Sequence, residues 1–208
     1  MAVKMKKIIC YGDSNTFGYN PLDGSRYDEN TRWTEVLQNN LGAEYEVINE
    51  GMCDRTGFVN NPKGFLFSAP KHFPKFISKE ENFDLLILWL GTNDLQFQYD
   101  ISMGAVERGL ENLVRLGNEK AKNIVIIPPV ILNENILKGP FNFQFNETSV
   151  VKSRKIGRIF RQIDNIYQCG YFDINKVTTP SDFDGLHYDA TSHKLIGESL
   201  AEFIKQNF

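Results

Sequence analysis

The sequence is short of several things that would commit it early to a function. Its three cysteines, Cys10, Cys53 and Cys169, are an odd number without metal-ligand spacing, and they read as reduced thiols in a cytoplasmic protein. Three histidines, His72, His187 and His193, supply a metal centre poorly, so no metal and no cofactor is expected. Positive charge is not in excess. The 23 Lys and Arg stand against 26 Asp and Glu, and the resulting net charge of −3 lacks the basic footprint of a nucleic-acid-binding surface. No apolar run approaches the length of a membrane span. The basic start, Met1 to Lys7, leads only into Ile8-Ile-Cys-Tyr11, which is too short for a secretion signal. What remains is a 208-residue chain, 41% apolar, able to bury one core without cross-links, and a single domain over 1–208 is expected.

What is present is an alternation of strand-like and helix-like segments. Lys7–Tyr11, Tyr45–Asn49, Asp84–Leu90, Asn123–Ile127 and Tyr171–Ile174 read as strands. The nearly continuous apolar run from Leu85 to Leu90 suits a strand covered on both faces. Thr31–Leu41, Ser102–Lys120, Thr148–Gln168 and Asp189–Gln206 carry apolar residues three or four apart and read as helices. The order predicts an α/β fold of three α/β/α layers, with a flavodoxin-like parallel sheet of about five strands. Two stretches fit less well. The segment 60–78 mixes Pro, Phe and Lys around a short helix, and 130–145 is a long Phe-rich loop.

Ligands on open parallel sheets bind beyond the carboxyl ends of the strands. Four polar segments fall there: Gly12-Asp-Ser14, Met52-Cys-Asp-Arg55, Gly91-Thr-Asn-Asp94 and Asp184-Gly-Leu-His187. Taken singly, each is an ordinary turn, helix cap or surface loop. Together they supply what ester cleavage requires. A serine hydroxyl needs a base to take its proton, and the base needs a carboxylate to fix its tautomer. Amide donors must then meet the developing oxyanion. Ser14, His187, Asp184 and Asn93 provide one of each, and the three-residue spacing lets one loop carry base and carboxylate.

Ile9-Cys-Tyr-Gly-Asp-Ser-Asn-Thr-Phe-Gly18 resembles the first block of the SGNH (GDSL-type) hydrolases. Gly51-Met-Cys-Asp-Arg-Thr-Gly57, Gly91-Thr-Asn-Asp94 and Asp184-Gly-Leu-His187 resemble the second, third and last, in family order. Arg32-Trp-Thr-Glu-Val-Leu37 and Glu46-Val-Ile-Asn-Glu-Gly51 are similar to the arylesterase and acyltransferase branch, whose members cleave or transfer short acyl groups. The resemblance implies Ser14 as nucleophile, His187 as base and Asp184 as its partner. It also implies an oxyanion hole formed by the backbone N–H groups of Ser14 and Asp54 and the side-chain amide of Asn93. Asp54 departs from the small residue usual in the family, and its carboxylate is expected to turn away, towards Arg55 or solvent.

Other residues carry plainer expectations. Cys53 is expected to be a buried packing residue. His72 and His193 read as packing or surface residues, and Trp33 as core or pocket wall. Asp13 and Asp94 should hold loop backbone through short hydrogen bonds. Arg55 either pairs with a carboxylate or is solvated. The cluster Phe141, Phe143 and Phe145 would wall a pocket or cover a subunit interface, and a homo-oligomer is expected. The leading expectation is a serine esterase acting on short-chain, acetyl-type small-molecule esters. Transfer of the acyl group to an alcohol or peroxide, a two-metal phosphoesterase and a catalytically silent binding protein are the alternatives.

Overall fold

Five strands run parallel in the computed structural model, which describes residues 5–208. They are β1 (Lys6–Gly12), β2 (Tyr45–Gly51), β3 (Phe83–Trp89), β4 (Ala121–Ile127) and β5 (Gly170–Tyr171), in the spatial order β2-β1-β3-β4-β5. This is the flavodoxin-like order, whose reversal of winding lies between β1 and β3. Ile8–Tyr11 and Leu85–Trp89 are fully buried, which explains why both read as unbroken apolar runs.

Among the described residues six α-helices complete the fold: α1 (Ser14–Phe17), α2 (Trp33–Leu41), α3 (Ala69–Ile77), α4 (Met103–Gly117), α5 (Glu147–Tyr167) and α6 (Ala190–Asn207). They form two packed groups, α2 with α6 and α4 with α3 and α5. The first pair is close enough that a Cβ on Gly197 would stand 2.7 Å from the Trp33 carbonyl. The long helices start at their caps. Ser102 caps α4, Asn146 caps α5 in a capping box with Ser149, and Asp189 caps α6. Among the described residues no helix is long and apolar enough to cross a membrane.

Two expectations need correcting. The last strand covers Gly170–Tyr171 and not Tyr171–Ile174; Phe172 still donates to the Ile126 carbonyl, but Ile174 already begins a single 3-10 turn. The Phe-rich segment is more ordered than a loop. It holds a 3-10 turn at Glu134–Leu137, and Asn133 and Asn135 anchor it to Asp182 at 2.7 and 3.3 Å. Segment 60–78 does contain its short helix, α3, with Pro70 in the first turn, where a missing N–H costs nothing.

Position is set by close approach at the strand ends. The single turn of α1 sits directly on Gly12 and Gly51; a Cβ on Gly12 would meet the Thr16 side chain, and one on Gly51 the backbone of Thr16 and Phe17. The carboxyl ends of β1 and β2 are thus held against the element that carries Ser14.

His193 is sealed between α2 and α6. Its Nδ1 accepts from the Trp33 N–H at 3.3 Å, its Nε2 has no partner, and the Tyr27 ring lies edge-on against it. Burial pushes its pKa down to about 4, with the Asp189 carboxylate opposing. An unfolded histidine titrates near 6.5, so below that pH the unfolded chain takes up a proton that the folded one refuses. The neutral ring's contribution is therefore complete above pH 6.5 and lost as the pH falls towards 4. Between pH 7 and 5, urea unfolding of His193→Gln should show about 2 kcal/mol less loss of stability than wild type. Parallel profiles for the two proteins would rule this out.

Candidate active site

Ser14 opens α1, and Asp13 caps that helix by accepting from the Asn15 N–H at 3.0 Å. The Ser14 Oγ lies 2.9 Å from His187 Nε2, and His187 Nδ1 lies 2.7 Å from Asp184 Oδ2. The other Asp184 oxygen accepts from the N–H groups of Leu186 and His187, both at 2.9 Å. One buried carboxylate therefore folds the loop and orients the ring it carries. Gly185 makes that loop feasible. Its φ of 70° is left-handed, and a Cβ there would stand 2.6 Å from the Ile136 nitrogen. The Gly185 carbonyl accepts from the Asn133 N–H at 3.0 Å, so the segment after β4 braces the histidine loop. Tyr19 and Phe141 close over the imidazole, with ring centroids 4.2 and 5.3 Å away.

The amide groups converge on the same place. Asn93 follows β3 in a 3-10 turn; its Nδ2 donates to the Arg55 carbonyl at 3.1 Å, and its Oδ1 accepts from Gln96 Nε2 at 3.2 Å. Asp54 has a φ of 62°, a left-handed conformation for which glycine is the natural residue and which Asp tolerates better than most. Ser14, Asp54, Asn93 and His187 line one pocket of about 260 Å³, together with Tyr19 and Phe141. Asp184 lies behind it, out of contact with solvent.

The sequence model of the GDSL-like Lipase/Acylhydrolase family matches residues 10–195. The chain belongs to this family. It is a GDSL-type carboxylic ester hydrolase. Similar solved structures include the native M. smegmatis aryl esterase, at 27% identity and a TM-score of 0.88, with 98% of this chain and 100% of that chain covered. A carbohydrate acetylesterase family member from Sinorhizobium meliloti is 28% identical with a TM-score of 0.86, covering 97% and 98%. The lipase/acylhydrolase from Enterococcus faecalis, at 20% identity and a TM-score of 0.69 over 97% and 96%, shares the fold. No curated protein matches the sequence.

In this GDSL-type hydrolase one charged residue beside the site meets expectation and another departs from it. Of the two directions expected for it, the Asp54 carboxylate takes the one towards solvent, where it pairs with the exposed Lys63 at 2.7 Å, and not the one towards Arg55. Arg55 is neither solvated nor in a salt bridge. It is buried, stacks on Tyr11 with the guanidinium carbon 4.3 Å from the ring centroid, and donates to the carbonyls of Gly12, Glu50 and Leu66. A planar fork with five donors spreads these bonds over its Nε and Nη1 atoms, which a single ammonium nitrogen does not offer. Cys53 is half-buried and lines the pocket; burial and the neighbouring carboxylates Asp54 and Asp13 push its thiol up to about 11, so it stays protonated. His72 packs among aromatic rings with Nδ1 2.8 Å from the Tyr11 hydroxyl, and Trp33 is core, its Nε1 donating to the Asn15 carbonyl. The Phe-rich segment divides: Phe145 is core, Phe141 is pocket wall and Phe143 is exposed.

Gln96, Lys63 and Tyr19 were not legible as site residues. Gln96 gave one faint signal, its place three residues after Asn93, which is the reach of one 3-10 turn. Lys63 and Tyr19 gave none.

Asp94 behaves as the turns predict. Its carboxylate accepts from the N–H groups of Gly57, Phe58 and Val59 at 2.6, 2.7 and 2.9 Å, tying the segment after β2 to that after β3. Burial raises its pKa to about 6 in spite of these donors. At pH 8, Asp94→Asn turns an amide against backbone donors and should cost about 2–3 kcal/mol in chemical denaturation. A change below about 0.5 kcal/mol, the size expected of a neutral surface substitution, would show that the three contacts hold nothing.

Proposed function

We propose that the protein hydrolyses short-chain, acetyl-type carboxylic esters through an acyl-enzyme formed on Ser14. The observation that carries this reading is the unbroken hydrogen-bonded chain from Ser14 Oγ through both nitrogens of His187 to Asp184. Ser14 Oγ attacks the acyl carbon as its proton passes to His187 Nε2. The imidazolium so formed is held by Asp184 Oδ2. Negative charge gathering on the former carbonyl oxygen is met by the backbone N–H groups of Ser14 and Asp54 and by Asn93 Nδ2, which has a second hydrogen beyond the one given to Arg55. Collapse expels the alcohol, which takes the proton from His187. Water then repeats the sequence on the acyl-enzyme and releases the acid.

Size and shape support a small acyl group. The pocket is near the lower end of the usual range for ligand sites, roughly 300 Å³ upwards, and Tyr19 and Phe141 narrow it over the histidine. The same two rings favour a second reading, transfer of the acyl group to an alcohol or peroxide, because they shield the acyl-enzyme from water. Product analysis with added alcohol separates the two; acid as the sole product at high alcohol rejects transfer.

With p-nitrophenyl acetate, Ser14→Ala and His187→Ala should each lose nearly all turnover, leaving the residual of about 10³–10⁴ over water that binding and oxyanion donors supply. Asn93→Ala should fall by roughly 10²–10³ in kcat. Ser14→Ala as fast as wild type, or a fluorophosphonate probe that labels wild type and Ser14→Ala alike, would overturn the reading. Across p-nitrophenyl esters of increasing length, kcat/KM should be greatest from acetyl to butyryl; a preference for long chains would reject the acyl assignment.

A further inference from the structure

The Asn93 amide can serve an oxyanion only if its nitrogen, and not its oxygen, faces the pocket. Local geometry fixes that choice from both ends. At one end stands the Arg55 carbonyl, which can only accept, and Asn93 Nδ2 donates to it at 3.1 Å. The residue that carries this carbonyl is anchored, because the Arg55 side chain is buried and tied to three backbone oxygens. At the other end Gln96 Nε2 donates to Asn93 Oδ1 at 3.2 Å. Gln96 is in turn oriented by Gln98, whose Nε2 donates to Gln96 Oε1 at 2.7 Å. All three amides therefore point the same way. Turning the Asn93 amide over would set oxygen against the Arg55 oxygen and nitrogen against the Gln96 nitrogen, losing both bonds at once.

From this chain we infer that Gln96 is a positioning residue for the oxyanion donor: it holds the Asn93 amide nitrogen towards the pocket, and Gln98 holds Gln96. The inference rests on the reading of Asn93 as an oxyanion donor. Gln96 itself does not touch the reacting atoms. It lies with Gln98 along a neighbouring pocket of about 300 Å³, divided from the first by Asp54, Lys63 and Gln144, which line both. Gln96 is only 5% exposed, so little solvent competes with Asn93 for its amide, and the bond is correspondingly directive.

The test compares steady-state kinetics on p-nitrophenyl acetate for Gln96→Met, Gln96→Glu and Gln98→Ala, each alone and combined with Asn93→Ala. Methionine keeps the length of glutamine without its donor. Glutamate presents an oxygen where the donor stood and so favours the turned-over Asn93. The expected order of kcat is wild type, then Gln98→Ala, then Gln96→Met at about tenfold down, then Gln96→Glu, all short of the roughly 10²–10³ for deleting the donor. KM should stay within about twofold, and in the Asn93→Ala background none of the three should lower kcat further, because nothing remains to position. Equal losses with and without Asn93, or an unchanged kcat for Gln96→Met and Gln96→Glu, would overturn the inference. If the buried variants do not fold, Gln98→Ala, at the outer end of the chain, carries the same comparison alone. Failure of the esterase reading would show separately, as full activity in Ser14→Ala.

Discussion

A carboxylate taken out of water must be met by donors, and three such carboxylates shape this molecule. Asp13, Asp94 and Asp184 are all fully buried at the carboxyl edge of the sheet. Asp94 and Asp184 solve the problem mainly with backbone N–H groups, of residues 57–59 and of residues 186 and 187, whereas Asp13 meets only that of Asn15 and its Oδ2 has no partner among the described residues. Charge-assisted bonds of this kind are short and directional, so each carboxylate dictates the course of a loop. The loops so fixed carry Ser14, flank Asp54 and carry His187. Burial raises Asp13 and Asp94 to about 6, the mark of groups kept at some electrostatic cost for the geometry they impose.

Much of this was legible in the sequence, and the reason is local. Ile8–Tyr11 and Leu85–Leu90 announce buried parallel strands because nothing polar interrupts them, and Gly12, Gly51 and Gly91 mark the turns that end them. The spacing of Asp184 and His187 is readable because base and carboxylate share one loop. What escaped reading depends on distant contacts. Arg55 looks like any surface arginine until β1, β2 and the segment near Leu66 bring three carbonyls to it. Lys63 reaches Asp54 across nine residues of irregular chain, which no periodicity reports. The brevity of β5 is equally tertiary: it has one partner strand and two paired residues.

Asp54 shows how a departure from a family pattern is accommodated. The backbone conformation there, with φ at 62°, accounts for the small residue usual at this place. Asp can adopt it, and its side chain finds Lys63 while its carbonyl finds the Asn61 amide at 2.7 Å. Both partners lie in the irregular segment before α3; the backbone contact ties that segment to the pocket rim whatever the side chain, and the Asp carboxylate adds the tie to Lys63. The ion pair is partly exposed and adds little to stability; its effect is to place a neutralised carboxylate beside the proposed oxyanion hole.

The proposed nucleophile and its base stand 173 residues apart in sequence yet 2.9 Å apart in space. In synthesis Ser14 precedes His187 by nearly the whole sheet, and His187 comes just ahead of α6, which packs on α2. Until His187 has been made, Ser14 has no base beside it to take its proton. The proposed activation of Ser14 is thus a product of the tertiary fold and of no local stretch of sequence.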